Sequence, residues 1–475
     1  MFSLTARLTE LGPWWLGLAL IALDATAIVR ALIRGHGVAS TLAWVFAIVA
    51  FPGLGAAAYL LLANPSVRRT VRRKAAALGR TAEDALTDAF ANQGERQIAR
   101  LACELTCLRA SAKNAVELLV EDEKAFGQIE HDLASAKDSI WAEYYIVKND
   151  ETGHRFLDAL CARAQAGVKV RLLYDGLGSL GLDGARLKAI RAAGGKVEPF
   201  LPLNPLRRRW AVHLRNHRKM IVIDGDVAFT GGMNVGDEYS GRSRRKGNQH
   251  FRDTHLRIRG PAVRDFAAVF ADDWKFATDE SLPLPQRDGE WPGNAVVCPL
   301  PSGPDQSHNA SAHTFFAGIM AARQQCFVTT PYFVPDEPTI RALITSAKGG
   351  VDVRILLPAK NDVRLVGLAA RSFYRELVRG GVRLFEYQPS MLHSKSMVID
   401  GRWGIIGSAN VDMRSFRLNF EVGAVVFDPA LAGEMSRRFL ADLESSREIT
   451  VASIKKVGLG RRLLQGIARL LAPVL

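Results

Sequence analysis

The chain has 475 residues, 48% of them hydrophobic and 23% charged, and a formal net charge of +14. Such a length can bury two domain cores. Its five cysteines, Cys103, Cys107, Cys161, Cys298 and Cys326, are scattered and odd in number; they make no metal-ligand set and fit a reducing, cytoplasmic environment for the main domain.

Taken in chain order, residues 1–66 read as a membrane anchor. In the stretch 11–32 an apolar run from Trp14 to Leu23 is interrupted by Asp24 and Arg30. It is expected to span as half of a hairpin with Asp24 held inside the protein, or to lie in the interface. A cleavable signal peptide is disfavoured by the second hydrophobic stretch and by the lack of a small-residue cleavage site. Residues 41–63 are uncharged and mostly apolar, 23 residues that can span with some tilt. Pro52 is tolerable there, and Trp44 and Tyr59 are expected near the two interfaces.

A connector, residues 67–109, opens with Arg68, Arg69, Arg72, Arg73, Lys74 and Arg80 and no acid among them. By the positive-inside rule this end lies in the cytoplasm, and with it the region that follows. Basic charge beside apolar segments points to an anionic membrane surface before nucleic acid.

Residues 110–280 and 295–450 read as two α/β halves, separated by a Pro-rich polar linker over 281–294. Val168-Lys169-Val170-Arg171-Leu172-Leu173 is matched by Val351-Asp352-Val353-Arg354-Ile355-Leu356. Each follows an amphipathic segment, at 156–164 and 340–347, and precedes another helix and a Gly-Gly break, at Gly194-Gly195 and Gly380-Gly381. Alternating strands and helices predict mixed, mostly parallel sheets flanked by helices, with hairpins adding antiparallel strands. The tail, 451–475, carries Lys455, Lys456, Arg461, Arg462 and Arg469. Its Leu463, Leu464, Ile467, Leu470, Leu471 and Val474 follow helical spacing. Such a basic amphipathic helix would lie in the headgroup region, or dock its stripe on the protein's own surface.

The chemistry sits in a pattern that occurs twice. His217, Lys219, Asp224, Gly231 and Asn234 recur as His393, Lys395, Asp400, Gly407 and Asn410, each 176 residues later. Within a strand the His and Lys lie two apart and share a face. Two imidazoles and two ammonium groups suit a phosphodiester: one His attacks phosphorus, the other protonates the leaving oxygen, and the lysines hold the phosphoryl oxygens. Asp224-Gly225 and Asp400-Gly401 predict tight hairpin turns, which would give each Asp a turn-fixing role within the motif. Gly231-Gly232 and Gly407-Ser408 are expected to let a ligand approach the backbone, with Asn234 and Asn410 as donors to its phosphate.

Both copies match in full the H-x-K-x4-D signature of the phospholipase D superfamily, which the chain resembles. That resemblance implies two pseudo-symmetric halves forming one site, a covalent phosphohistidine, and no metal or other cofactor. It counts His217, Lys219, Asp224, His393, Lys395 and Asp400 as the catalytic set. It also implies an acidic residue on a later strand orienting each imidazole. Asp253 and Glu421 sit at such places, although Arg252 and Arg417 could instead pair with them.

Further stretches resemble the bacterial cardiolipin synthases of that type. They are Glu143-Tyr144-Tyr145-Ile146, Leu173-Tyr174-Asp175-Gly176, Asn216-His217-Arg218-Lys219, Thr330-Pro331-Tyr332-Phe333, Leu392-His393-Ser394-Lys395 and Asp412-Met413-Arg414-Ser415-Phe416, with Ala43-Trp44, Pro52, Gly55 and Tyr59-Leu60 in the anchor. The resemblance implies phosphatidyl transfer between two phosphatidylglycerols at the inner membrane, with phosphatidylglycerol and anionic lipids as partners and no nucleic acid. By analogy His217 is the nucleophile and His393 the acid, a choice that the symmetry of the motif leaves open. A phospholipase D hydrolase would share these residues, as would a synthase using phosphatidylethanolamine. A membrane-anchored nuclease would need a basic groove with stacking aromatics. Arg207, Arg208, Arg209 and Trp210, with Arg242, Arg244, Arg245 and Lys246, either gather anionic lipid or form solvated loops.

Overall fold

The structure is a computed structural model; it describes residues 14–34, 38–62, 90, 92–120, 122–201, 214–242, 250–286, 291, 293–306 and 308–470. The connector's basic residues, residues 207–210 and 244–246, and Leu471 and Val474 of the tail lie outside the described residues. The chain forms two compact units, Met1–Val67 and Arg68–Leu475.

In the first unit the helix Trp14–Arg34 is followed by Val38–Ala50 and Leu54–Leu62. Trp14–Ile33 is long and apolar enough to cross a membrane. The expected second span is not one helix. It breaks at Phe51-Pro52-Gly53, where Pro52 has no N–H to continue the ladder and Gly53 adopts φ +76°. The chain then folds back. A Cβ on Gly55 would lie 2.4 Å from the Ala47 carbonyl oxygen, and the Trp44 and Tyr59 rings meet edge to face at 5.5 Å. In a straight helix those rings would stand about 22 Å apart, so they do not mark opposite interfaces. The pieces are about 20 and 14 Å long, each short of a ~30 Å hydrocarbon core. Asp24, the charge that made the first segment doubtful, accepts a hydrogen bond from the Gly53 N–H at 2.9 Å. The carboxylate thus serves a backbone group that the break leaves without a helical partner.

The second unit is built on one 15-stranded sheet. In the first half Ser139–Tyr144, Lys169–Tyr174 and Lys196–Pro199 pair in parallel, connected by the helices Glu151–Gln165 and Gly184–Ala192. The second half repeats this with Gln325–Thr329, Asp352–Pro358 and Arg383–Tyr387, connected by Glu337–Lys348 and Arg364–Arg379. All other pairings in the large sheet are antiparallel, so the sheet is mixed but parallel pairing does not dominate it. The periodicity of buried strands does not distinguish the two, since a central antiparallel strand covered on both faces is equally apolar. Apolar cores form under each half, around Ile140, Leu172 and Phe229 in one and Val328, Ile355 and Val425 in the other. The strand Ser111–Leu119 joins the halves, pairing with His255–Arg259 on one side and Ala295–Pro299 on the other.

The motif strands Lys219–Ile223 and Ser396–Ile399 pair antiparallel with Ser139–Tyr144 and Gln325–Thr329. Both hairpins turn through left-handed Asp-Gly pairs, φ +51° and +64° at Asp224-Gly225 and +53° and +63° at Asp400-Gly401. Two positive φ values define the type I′ turn that matches strand twist. Two short parallel pairings then exchange chain between the halves: Arg215–Asn216 with Asn419–Phe420, and Phe251–Arg252 with Met391–Leu392.

Candidate active site

The exchanged strands deliver each histidine to the other half. The His217 N–H donates to the Phe420 carbonyl at 2.8 Å, and the His393 N–H to the Arg252 carbonyl at 2.8 Å. One residue beyond each carbonyl stands the carboxylate for that ring. His217 Nδ1 is 2.9 and 3.0 Å from the Glu421 carboxylate oxygens, and His393 Nδ1 is 2.6 Å from Asp253 Oδ2. Neither half therefore holds a complete His-carboxylate pair of its own. Arg252 does not compete for Asp253; it pairs with Asp442 at 2.7 Å.

With Nδ1 taken by a carboxylate, Nε2 is the nitrogen of each ring left for chemistry. Both histidines are buried, and burial first of all lowers each imidazole to about 4; the nearby lysines add to this and the carboxylates oppose it. Each ring senses both Lys219 and Lys395, which places the two copies in one electrostatic site. Burial also pulls Lys219 down to about 7 and Lys395 to about 8. Glu421 and Asp253 stay below the ordinary carboxylate range although burial pushes them up. The adjacent His217 and Lys219, and Lys395 and His393, outweigh it. Lys219 donates to the His217 carbonyl at 2.7 Å, and Lys395 Nζ lies against the His393 ring, 2.7 Å from Nδ1 and 3.0 Å from Nε2.

Aromatic rings wall the histidines. Tyr145 lies 4.9 Å from His217, with Lys219 over its face at 5.2 Å. Tyr239, Phe251 and Tyr332 surround His393 at 5.3, 5.4 and 6.4 Å. Tyr145 and Tyr332 occur in stretches that carry the family resemblance, but nothing in their pattern assigned them to the histidines. Tyr239 and Phe251 gave no sequence signal at all.

The remaining motif residues divide by role. Asp224 accepts from the N–H groups of Lys137, Asp138 and Ser139, each at 2.8 Å. Asp400 does the same for Arg323, Gln324 and Gln325 at 2.8 to 3.2 Å. Both carboxylates tie the hairpin turn to the start of the central strand and make no contact with a histidine. These hydrogen bonds fit the turn-fixing role expected of each Asp within the motif. Asn234 is engaged too, accepting from the Ile146 N–H and donating to the Tyr239 hydroxyl at 2.9 Å. Asn410 keeps a buried side-chain oxygen without a hydrogen-bond partner. The expectation for the small residues also needs correcting: a Cβ on Gly232 would sit 2.1 Å from Asp253 Oδ1, and one on Gly407 2.6 Å from the Gly423 Cα. These positions make room for the orienting acid and the adjoining strand rather than for a ligand. Ser408, at the position of Gly232, uses its hydroxyl to donate to Glu421, as does the Asn419 amide at 3.2 Å.

Beneath His217 the strand is pinned by charge. The buried Arg218 donates through Nε to the Glu421 carbonyl at 3.0 Å and pairs with Asp273. Asn216 binds Glu143 through its side chain and Asp175 through its N–H at 2.9 Å. His393 has Leu392 and Ser394 in those places, with Ser394 on Thr254 at 2.7 Å. Among the described residues no group of three or more His, Cys, Asp or Glu side chains is arranged to hold a metal ion.

The model described as cardiolipin synthase, phospholipase D-like domain, matches residues 129–274 and 315–443, and a phospholipase D-nuclease N-terminal model matches 22–64. The chain is 37% identical to cardiolipin synthase 2 of Bacillus anthracis, over 92% of this chain and 87% of that one. It is 37% identical to a cardiolipin synthase of Geobacillus kaustophilus, over 97% and 94%. Cardiolipin synthase A of Pseudomonas putida is 39% identical over 77% of this chain and 76% of its own length. Among solved structures, the phosphatidylserine synthase of Haemophilus influenzae shares the fold, with a TM-score of 0.61 at 16% identity over 80% of this chain and all of that one. The cardiolipin synthase domain model covers both histidine motifs and the crossed carboxylates, and the relatives match most of the chain: the chain belongs to the bacterial cardiolipin synthases of the phospholipase D superfamily.

Proposed function

We propose that the site transfers a phosphatidyl group from one phosphatidylglycerol to another, giving cardiolipin and glycerol through a phosphohistidine. The observation that carries this reading is the crossed pairing of His217 with Glu421 and His393 with Asp253, which makes the two motifs one device. His217 Nε2 attacks phosphorus, the phosphorus–oxygen bond to glycerol breaks, and His393 Nε2–H protonates the departing alkoxide. The now neutral His393 takes the proton of a hydroxyl on the second phosphatidylglycerol. That oxygen attacks phosphorus, and His217 leaves. Lys219 and Lys395, with the side-chain amide of Asn410 as a further donor, stabilise the phosphoryl oxygens as charge builds.

The low pKa of the buried imidazoles suits the nucleophile, which must be neutral. An arriving phosphodiester brings a negative charge into a dry site, which raises the affinity of His393 for its proton. The aromatic walls and the burial of the lysines exclude water, so that a lipid alcohol is preferred as acceptor.

The chain is membrane-associated. We place it in the inner membrane, with the catalytic unit on the cytoplasmic side beside the basic connector.

The test uses full-length protein in detergent–phosphatidylglycerol micelles with chelator present, products being resolved by mass spectrometry. Cardiolipin and glycerol from wild type, and from neither His217→Ala nor His393→Ala, are expected. Phosphatidic acid as the main product would make the enzyme a hydrolase. Neither product would reopen a nuclease or another lipid donor.

A further inference from the structure

The helix Leu459–Leu470 is docked by the face that its sequence makes least apolar. Gln465 and Ala468 are buried, at 8% and 1% exposure, and Ala468 joins the core of the second half. The Arg469 guanidinium lies 4.3 Å from the Phe373 ring centroid, on the helix Arg364–Arg379. The leucine stripe points the other way. Leu459, Leu463, Leu464, Ile467 and Leu470 are 84, 64, 56, 49 and 79% exposed. A helix fixed by one face while its apolar face remains open is an unfilled interface, since isolated surface leucines are ordinary but a contiguous stripe is not.

Charge identifies the occupant. Arg461 and Arg462 flank the stripe on the helix, Lys455 and Lys456 stand in the segment just before it, all four are exposed, and no Asp or Glu occurs from Ile449 onward. Protein interfaces deplete lysine at their centres, whereas a leucine face with a basic border fits the headgroup region of an anionic leaflet. We propose that the Leu459–Leu470 helix is a lipid-docking element of the catalytic unit, seated in an anionic bilayer surface independently of the N-terminal helices.

Its support also reaches the active site. The helix Arg364–Arg379 that carries Phe373 begins two residues after Asp362, which accepts a hydrogen bond from Tyr332 beside His393. Phe373 lies about 14 Å along that helix from its first residue. Val363 and Leu365, at the site end, are themselves exposed. One helix therefore connects the docked face of Leu459–Leu470 to Tyr332 beside His393, and lipid contact at the exposed stripe fixes how the catalytic unit meets the leaflet that supplies its substrate.

The proposal rests on the membrane reading above, and the test separates the two. Full-length protein with Ile467→Cys, labelled with a nitrobenzoxadiazole fluorophore, is reconstituted into vesicles of phosphatidylcholine with or without phosphatidylglycerol. The signal of identically treated parent protein is subtracted, and Lys188→Cys, on an exposed helical position, serves as the solvent control. Blue-shifted emission that strengthens with phosphatidylglycerol and is quenched by headgroup-proximal spin-labelled lipid is expected. Emission like that of the control overturns the proposal. So does a blue shift that lipid quencher leaves untouched, because the stripe is then covered by protein, whether a second copy or another part of the chain.

A companion variant, Leu463→Ser/Leu464→Ser/Ile467→Ser, is expected to keep micellar synthesis within about twofold of wild type and to lose about tenfold in vesicles. Equal rates in both settings count against docking. Absence of cardiolipin from wild type in micelles would instead strike the proposed reaction and leave the label result to stand by itself.

Discussion

Replacing Glu421 by Gln keeps the shape of the side chain and removes its charge. In the native site this carboxylate meets His217 Nδ1 at 2.9 and 3.0 Å and is itself held by Ser408 and Asn419. In the proposed reaction His217 attacks phosphorus and its ring becomes cationic, so the carboxylate interaction strengthens on the way to the transition state. A hydrogen bond to a charged partner contributes about 1.5–3 kcal/mol, and 1.36 kcal/mol is a factor of ten in rate. Glu421→Gln should therefore lower kcat by roughly 10- to 150-fold. The loss should fall on formation of the phosphohistidine, read by rapid quench with radiolabelled phosphatidylglycerol and an acid-lability test of the labelled protein. Ser408→Ala removes only a neutral donor from the same carboxylate and should cost a smaller factor, about 2- to 10-fold. The glutamine variant should unfold at a denaturant concentration near that of wild type. If it retains more than a third of the wild-type rate, the crossed carboxylate does not orient the nucleophile, and the account of a joint site is wrong.

Gly232→Ala drives a methyl group into Asp253, 2.1 Å from Oδ1. Displacement of that carboxylate from His393 should cost about 100-fold in activity, with the far-ultraviolet circular dichroism unchanged. Asp224→Ala releases three backbone N–H groups at the hairpin. It should lower stability by about 1–2 kcal/mol in urea titration while the folded protein keeps near-normal kcat; a large kcat defect at full stability would return Asp224 to the chemistry. The lysines set an alkaline limb. With Lys219 at about 7 and Lys395 at about 8, charge is present at low pH and lost as pH rises through those values. kcat/KM for phosphatidylglycerol should fall above about pH 7, and Lys219→Gln should remove the first step of that fall. Asp253 and Glu421 are held below their ordinary values of 3.8 and 4.5. Their contribution to stability is present above those values and lost as pH falls through the lower folded ones. His217 and His393, lowered from 6.5 to about 4, add a loss that begins earlier, so urea midpoints should start to drop below about pH 6.5.

Much of the catalytic half of this arrangement was legible because it depends on short-range rules. Two residues apart on a strand means one face, so His217 with Lys219 and His393 with Lys395 were readable directly. Asp-Gly between apolar runs means a type I′ hairpin, and both turns adopt it. The crossed partners were not legible in the same way. Asp253 and Glu421 were singled out, but which histidine each serves depends on strand exchange between residues 140 to 204 apart, and no local pattern encodes that register. The aromatic walls were invisible for the same reason, since Tyr239 reaches His393 from a loop. The anchor failed on a different count: hydropathy over residues 41–63 measures transfer to lipid and is blind to a backbone break. Pro52 followed by Gly53 was the available warning, and the Asp24 carboxylate that satisfies Gly53 comes from the preceding helix.

The differences between the halves explain why a duplicated motif needs unlike neighbours. At equivalent positions the first half has Gly232 beside Asp253, and the second has Ser408 beside Glu421. The shorter carboxylate lies so close to the backbone that only glycine fits. The longer one leaves space that a hydroxyl fills, and that hydroxyl supplies a hydrogen bond. Ser408 and Asn419 both donate to Glu421, while Asp253 receives the Thr254 N–H at 2.7 Å. Donors on a carboxylate draw off charge that would otherwise stabilise the imidazolium. In the proposed assignment this carboxylate difference favours a neutral, attacking His217 and a proton-carrying His393, while Lys395, 2.7 Å from His393 Nδ1, works against a cation on that ring. Exchanging the pairs, with Gly232→Ser/Asp253→Glu combined with Ser408→Gly/Glu421→Asp, tests whether this asymmetry assigns the roles. With both histidines kept, a denaturing quench at alkaline pH followed by peptide mapping should then find the phosphatidyl group on His393, where the unexchanged protein carries it on His217. If the exchanged protein still carries it on His217, the roles are set by something other than these neighbours.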